Sequence, residues 1–425
     1  MRNLLKGLFT RDELSDLNPD AIPLAKLESL LSKLTEEEVR RLYRHDPWLE
    51  NYVFNVWEKV QGRTVLHSYP WHMAVSLADL CNAKCAFCTC SVATSGLLDL
   101  AVLPGLIKVA RYARTLILTG GEPTVHPRFR EIIKAFGAAV DPRCSFYMIT
   151  NGDRLGRFRE ELEQVRMGFC VSLNAGTAAT HHEIMQMGVD SFRRILENIR
   201  WLKSINRYVS LSFVVTRQSI HEVPQFIRLG NELNVDYLYV RTINPIQDLI
   251  DSLPGYSELP PYKHPQFEAL RERAVEAIKG SRVGVQAMPE QWGVEVFSPS
   301  TSGPTGLTSI LKRGSKESAI PKGQPLSEQE AREDSAFLDH GNPYGRSHPF
   351  SCNLVYYSAQ VLDQVMRLYP CCFMPRVPGF EEMRLTATDD FFELWNSPAL
   401  VALRRSLQQG PLYPACKTCT YQLEY

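Results

Sequence analysis

His72-Met-Ala-Val-Ser-Leu77, then Leu80-Cys-Asn-Ala-Lys-Cys-Ala-Phe-Cys88, and about thirty residues later Leu118-Thr-Gly-Gly-Glu-Pro123, are the stretches that decide how this chain is read. The first run alternates, as a half-buried strand does. At its end stand Cys81, Cys85 and Cys88 in CxxxCxxC spacing. Three thiolates rather than four leave one iron of a [4Fe-4S] cluster open to a non-protein ligand, much as a catalytic zinc keeps one coordination position free. Three close cysteines alone would equally suit zinc or buried thiols.

Together these motifs resemble the radical S-adenosylmethionine (SAM) superfamily over roughly residues 72 to 245. The resemblance implies that Cys81, Cys85 and Cys88 hold a [4Fe-4S] cluster whose open iron takes the amine and carboxylate of SAM. Reductive cleavage of SAM would then give a 5′-deoxyadenosyl radical that removes a hydrogen atom from a substrate. The same resemblance places Phe87 beside the adenine and Gly120, Gly121, Glu122 and Pro123 in the methionine-binding motif, with the Glu122 carboxylate toward the SAM amine. It assigns Ser172 and Asn174 to the SAM ribose or carboxylate, with Asn151 as a further candidate contact. Read from the residues alone, Glu122 before Pro123 could instead cap a helix, and Asn151 in Thr-Asn-Gly could be a turn former. The double glycine, which lets backbone approach a ligand closely, favours the binding role for Glu122.

The chain has 425 residues, 44% of them hydrophobic, enough for two or three cores,. Lysine plus arginine equals aspartate plus glutamate at 47 each, so no global field recommends nucleic acid or an anionic membrane as partner,. The N-terminal Met1-Arg-Asn-Leu-Leu-Lys-Gly-Leu-Phe-Thr-Arg11 regains charge too soon for a signal-peptide core, and no apolar run reaches the length of a membrane span,. A cytoplasmic location is expected.

Residues 1–70 are expected to be a helical extension, with Leu24, Leu27, Leu30, Leu31 and Leu34 on one face and Thr35-Glu-Glu-Glu38 a capping box,. From 71 to 245, strands at His72–Leu77, Thr115–Leu118, Ser145–Thr150, Gly168–Leu173, Val209–Val215 and Tyr237–Arg241 alternate with helical patterns such as Ser191–Leu202. Repeated strand-helix units predict an α/β fold with a parallel sheet and right-handed crossovers. Six units match the partial (β/α)6 TIM-like barrel of the resembled family. In parallel barrels chemistry gathers at the C-terminal strand ends, where Cys81, Gly120, Asn151 and Asn174 all fall. Residues 246–350 read as a connecting helix and a Ser, Gly and Pro-rich linker, including Ser298-Pro-Ser-Thr-Ser-Gly-Pro304,.

Residues 351–425 are expected to form a small iron-sulfur domain. Cys352, Cys371, Cys372, Cys416 and Cys419 crowd into this tail, and close cysteines in a chain without a secretion signal favour metal ligation over disulfides,. Their setting resembles the SPASM/twitch extension of part of the superfamily, with fewer cysteines than a full SPASM domain. One auxiliary [4Fe-4S] cluster on Cys352, Cys371, Cys416 and Cys419 is the expectation, with Cys372 the alternative to Cys371 because adjacent cysteines do not easily both serve one cluster. Structural zinc on four thiolates is the alternative.

A fully ligated auxiliary cluster could accept an electron from a substrate radical, which favours net oxidation. A redox-neutral outcome such as epimerisation needs a hydrogen donor instead, for which Cys90, Cys144, Cys170 and Cys372 are candidates beside their plainer reading as buried thiols. The expected function is hydrogen abstraction from a small polar metabolite, leading to oxidation, epimerisation or elimination. The alternatives are radical modification of a residue in a peptide or protein and, in another class, a non-catalytic electron-transfer protein. An external electron donor such as flavodoxin or ferredoxin is the implied partner.

Overall fold

The structure, a computed structural model, describes residues 24–88, 96–243, 255–287, 354–361, 367–371, 383–386, 390–411, 413 and 416. It opens with α1 (Leu24–Leu31), α2 (Glu36–Leu42) and α3 (Pro47–Val60). The expected capping box starts α2: the Glu38 amide donates to Thr35 Oγ1 at 3.4 Å, and the Thr35 amide donates to Glu38 Oε2 at 2.9 Å,. Asp46 caps α3, with Pro47 in its first turn,. Helix α3 buries residues all round because α1 and α2 cover one side and the sheet covers the other,.

Strand and helix then alternate: β1 (His72–Ser76), α4 (Leu103–Ala110), β2 (Thr115–Thr119), α5 (Phe129–Ala139), β3 (Ser145–Thr150), α6 (Arg159–Gln164), β4 (Gly168–Ser172), α7 (Ala178–Met185) and α8 (Ser191–Ser204). The series continues through β5 (Val209–Val215), α9 (Val223–Glu232), β6 (Tyr237–Thr242), α10 (Phe267–Lys279) and β7 (Gly284–Ala287). The six expected strands are all present, each within a residue of its expected bounds. β7 is additional and lies in the region read as connecting segment.

The C-terminal part contributes α11 (Leu354–Tyr357), β8 (Ser358–Val361), β9 (Leu368–Tyr369), α12 (Phe391–Trp395) and α13 (Pro398–Gln409). All nine strands form one sheet in the order β7-β6-β5-β4-β3-β2-β1-β8-β9. Every neighbouring pair is parallel except β8 with β9. The sheet is not closed, so this is a partial barrel with helices on its outer face. β8 lies parallel to β1, with His72 opposite Ser358. A segment expected to stand apart as its own domain thus supplies a strand to the central sheet, and α1, α3, β1, β8 and α13 share one continuous apolar core.

Strand register sorts the side chains into two faces. Met73, Val75, Leu116, Leu118, Phe146, Met148, Phe169, Val171, Leu211 and Phe213 are buried under the helices. The other face carries Ser76, Thr119, Tyr147, Cys170, Ser172, Ser212 and Tyr239, in neighbouring strands and mutually consistent register. Hydroxyls and tyrosines rather than aliphatic side chains therefore line much of the concave face. That lumen opens at the C-terminal strand ends.

Candidate active site

After β1 the chain turns through Ala78, Asp79 and Leu80 into the cysteine loop, and the segment after β2 is stitched to that turn. The Gly121 amide donates to the Ala78 carbonyl at 2.6 Å and the Glu122 amide to the Leu80 carbonyl at 2.9 Å. This contact is why the segment is Gly-Gly. A Cβ on Gly121 would stand 2.5 Å from the Leu80 carbonyl oxygen, and Gly120, at φ +133°, would drive one into the Ala78 carbonyl,. The double glycine fits backbone to backbone and fixes where Cys81 begins.

The far side of the cysteine loop is held by the end of α7. The Lys84 amide donates to the Met185 carbonyl at 3.0 Å and the Ala86 amide to the Ile184 carbonyl at 3.2 Å. Ala83, Met185 and Met187 form a small apolar cluster against which Cys81 and Cys85 pack, and the Cys85 thiol lies 3.3 Å from the Met185 sulfur,. Asn151, after β3, donates from Nδ2 to Asn82 Oδ1 at 2.7 Å and lies 3.9 Å from the Cys81 sulfur. Its Oδ1 accepts the Asp153 amide at 3.0 Å, so it is a turn former and a loop anchor at once,. Asp153 in turn accepts from Asn82 and from Arg194 at 2.7 Å.

Cys81, Cys85 and Cys88 are all half-buried. Burial raises the Cys81 pKa, with the nearby Glu122 and Cys88 charges adding to the effect. Burial, then the charges of Cys88 and Cys81, push the Cys85 thiol up to about 12. The three sulfurs thus sense one another. Among the described residues no three His, Cys, Asp or Glu side chains converge as ligands of one ion would. A cubane cluster takes its cysteines on different irons, so mutual proximity without convergence on one point suits it. The donor set fits a three-thiolate cluster.

Glu122 lies fully buried. Its Oε1 accepts the Thr124 amide at 3.1 Å, the Thr124 hydroxyl at 2.6 Å and the Thr150 hydroxyl at 2.8 Å, while Oε2 accepts the Asn151 amide at 2.7 Å. Burial raises its pKa against the lowering effect of these donors. The carboxylate expected to meet the SAM amine is thus occupied in capping the turn at Pro123 and tying β2 to β3. Glu222 repeats the device, accepting the Gly176 amide at 2.7 Å, the Thr177 amide at 3.1 Å and the Thr180 hydroxyl at 2.8 Å.

Phe87 packs half-buried on the Ile243, Tyr256 and Leu259 cluster, which Val214 of β5 also meets, so the cysteine loop reaches across to the β6 end. Ser172 ends β4 on the lumen face, half-buried. Asn174 adopts a left-handed backbone, φ 56°, and its side chain is engaged by the Val214 amide at 2.9 Å and Met185 Sδ at 3.1 Å. The structure therefore gathers Cys81, Cys85, Cys88, Phe87, Gly120, Gly121, Glu122, Pro123, Asn151, Ser172 and Asn174 around one end of the barrel. Met185, Met187, Asp153 and Glu222 join them without a local sequence signal, since each is defined by contacts between distant segments.

In the tail, Cys371 and Cys416 are half-buried and packed on the main core. Cys352, Cys372 and Cys419, like Cys90, lie outside the described residues. Cys144 is buried at the opposite end of the sheet from the cysteine loop, whereas Cys170 lies on the lumen face.

Residues 75–230 match the family model described as the radical SAM superfamily. Among curated relatives, "Probable GTP 3',8-cyclase" of Saccharolobus islandicus is 29% identical over 181 residues, covering 41% of this chain and 57% of the relative. The protein of the same name from Sulfurisphaera tokodaii is 29% identical over 180 residues, covering 41% and 56%. The chain thus spans little more than half the length of these relatives. Among solved structures, Streptococcus suis SuiB bound to S-adenosylmethionine superposes with a TM-score of 0.55 at 15% identity, covering 94% of this chain and 80% of SuiB. SuiB bound to its precursor peptide SuiA gives 0.53 at 16% identity, covering 84% and 71%. These two likenesses concern the fold. No helix among the described residues is long and apolar enough to cross a membrane.

Proposed function

We propose that this protein is a radical SAM enzyme acting on a small polar metabolite held in the barrel lumen. One observation carries the reading: the turn that leads into the Cys81–Cys88 loop is bonded to the Gly-Gly-Glu-Pro segment and the loop itself to α7, at the C-terminal end of a hydroxyl-rich lumen face. When bound, a [4Fe-4S] cluster and SAM supply reductive cleavage to a 5′-deoxyadenosyl radical that can take a hydrogen atom. Cys81, Cys85 and Cys88 would hold the cluster. Gly120 and Gly121 fix the loop on which the thiols stand, Glu122 and Asn151 lock that loop to β3, and Phe87 and Ser172 bound the space for SAM. Met185 and Met187 keep water from the cluster side of the loop,.

The named relatives favour a small molecule over a peptide, since they are called GTP cyclases and match at the level of sequence. Peptide modification is the second reading, prompted by the SuiB fold, which has been solved with its precursor peptide. In the tail, Cys352, Cys371, Cys416 and Cys419 are proposed as ligands of one auxiliary [4Fe-4S] cluster in a SPASM/twitch-like segment, giving the enzyme an electron acceptor and an oxidoreductase outcome. A cytoplasmic location and a flavodoxin or ferredoxin donor accord with this chemistry.

Anaerobic reconstitution tests the proposal. Wild-type protein is expected to bind about eight irons as two clusters and to form 5′-deoxyadenosine from SAM under dithionite. Cys81→Ala, Cys85→Ala and Cys88→Ala should each abolish that product, and deoxyadenosine formed by these variants would refute the assignment. About four irons with bound zinc would refute the auxiliary cluster alone.

A further inference from the structure

The next step rests on the lumen being the substrate site and asks what chemistry that lumen selects. Register assigns every strand position to one of the two faces. Among the described lumen-facing strand residues none is Asp or Glu, and Arg241 on β6 is the one with a permanent charge. His72, at the closed end, is held neutral by burial, its pKa down at about 4. Among the described strand residues the lumen face is therefore largely neutral and hydrogen-bonding, with one cation at its C-terminal end.

Arg241 is placed for recognition rather than for the fold. It is exposed, and no carboxylate among the described residues pairs with it. Its guanidinium lies over the Tyr239 ring, 5.1 Å from the centroid, which orients the planar fork and leaves its N–H edges free,. Its register partner is Val214, and Val214 packs on the same Ile243, Tyr256 and Leu259 cluster as Phe87 of the cysteine loop. The cation thus stands beside the loop that carries the proposed cluster ligands. Two strands away on the same face is Cys170, hydrogen-bonded with Ser210; the Arg241 charge opposes the rise that burial imposes on that thiol.

We propose that Arg241 is the anchor for an anionic group, a carboxylate or a phosphate, of the substrate, whose polar body lies along Ser172, Ser212 and Tyr239. A guanidinium fork takes either group in bidentate fashion, and the described strand residues of the lumen face include no carboxylate to repel it,. A cationic substrate, by contrast, would find no counter-charge among the described lumen residues. The proposal assigns the class of substrate, not its skeleton.

The test needs neither cluster nor SAM. Cys170 is alkylated in the full-length chain with iodoacetate or iodoacetamide and read by peptide mass mapping, each rate divided by that of glutathione in the same tube. A cation in the same lumen, four residues further along its strand than the level of Cys170, should favour the anionic reagent about twofold over the glutathione reference,. The preference should fall to the reference in Arg241→Met and persist in Arg241→Lys. Inorganic phosphate and succinate, added separately, should suppress it, and the stronger competitor names the substrate's anionic group. Equal ratios in wild type and Arg241→Met overturn the proposal. Should Cys170 react with neither reagent, protection of Arg241 from phenylglyoxal by the same two anions replaces it, and protection by neither overturns the proposal. SAM affinity, measured by equilibrium dialysis on reconstituted protein, should be the same in wild type and Arg241→Met. A several-fold loss would give Arg241 to the cofactor's carboxylate and overturn the substrate assignment. Failure of the wild type to bind iron or SAM would sink the enzymatic reading while leaving the alkylation ratios standing.

Discussion

At the scale of single residues, Glu122 shows how a motif can be legible while the role of its central side chain is not. The sequence marks the position because Gly-Gly-Glu-Pro follows a strand at a fixed distance from three cysteines. Which atoms the carboxylate meets depends on Thr150 and Asn151, about thirty residues away and close only after β2 and β3 pair. Four donors surround a carboxylate that is fully buried, so Glu122→Gln turns an amide donor toward at least one of them. The expected cost is about 1 to 3 kcal/mol in thermal or denaturant unfolding. Reconstituted iron should fall as well, because the Asn151 amide and side chain lose their support beside Cys81. Full iron retention with weakened SAM binding would instead restore the direct ammonium contact. His181 makes a second residue-scale test. It is buried on α7, its Nε2 has no hydrogen-bond partner among the described residues, and burial lowers its pKa to about 4 from 6.5, against the raising effect of Asp153. The unfolded chain therefore binds this proton first as pH falls. Stability from the neutral ring is full above 6.5 and is lost toward about 4, with at most about 3 kcal/mol at stake. His72 acts in the same direction. Melting temperature should drop between pH 7 and pH 5, and His181→Leu should drop less steeply than wild type. A parallel pH profile in the variant would show that the ring is not held neutral.

Elements were readable where burial imposes a period and unreadable where a partner does. In β2, Leu116 and Leu118 are fully buried while Ile117 and Thr119 are only half-buried, and in β5 Leu211, Phe213 and Val215 alternate with Ser212 and Val214. Such alternation is written into the local sequence, so six strands and their order could be stated in advance. β7 is Gly-Val-Gln-Ala and β8 is Ser-Ala-Gln-Val, four residues each with few β-formers,. Each becomes a strand because an edge of the sheet accepts it, and the His72–Ser358 contact of β8 joins residues 286 apart. The junction after β2 is the element that most directly controls the site. Gly121→Ala would place its Cβ 2.5 Å and 2.6 Å from the Leu80 and Asp79 carbonyl oxygens, backbone atoms that must move. Overpacking of this kind costs about 1 to 3 kcal/mol, and the displaced turn is the one that leads into Cys81. The variant should keep its far-ultraviolet circular dichroism, because β1 and β2 pair below the turn, and lose cluster absorbance on reconstitution. Wild-type iron content in folded Gly121→Ala would mean that the stitch does not position the thiols.

On the scale of the whole molecule, the chain is less divisible than its composition suggests. The sequence divides into a helical extension to residue 70, a barrel to 245, a connecting segment to 350 and a small C-terminal domain, and the described ends of the chain pack together against that barrel. Asn55 on α3 donates to the Tyr356 carbonyl at 2.8 Å, Asn396 Oδ1 accepts the Leu66 amide at 2.8 Å, and buried Arg404 donates to the Thr64 carbonyl at 3.0 Å while lying over the Trp395 ring. These bonds place N-terminal and C-terminal segments against each other beside β1, where Trp395, Leu400 and Leu403 are fully buried. None of them is visible in local sequence, because each joins residues about three hundred positions apart. Ending the chain at residue 353 would strip β8 from β1, uncover the Trp395 surface and leave the Asn55 side chain without the Tyr356 carbonyl. Several large buried side chains are lost at once, each worth about 2 to 5 kcal/mol when removed singly, against a total stability of about 5 to 15 kcal/mol. The truncated protein is therefore expected to lose its cooperative thermal transition and its cluster site together, rather than survive as a working barrel. Cys371→Ala with Cys416→Ala, made in the full chain, separates scaffold from ligand: the melting transition should remain while about four irons are lost. A soluble, cooperatively melting 1–353 fragment that still cleaves SAM would show that the tail is an appendage, and that the β1–β8 pairing contributes little to holding the cysteine loop in place.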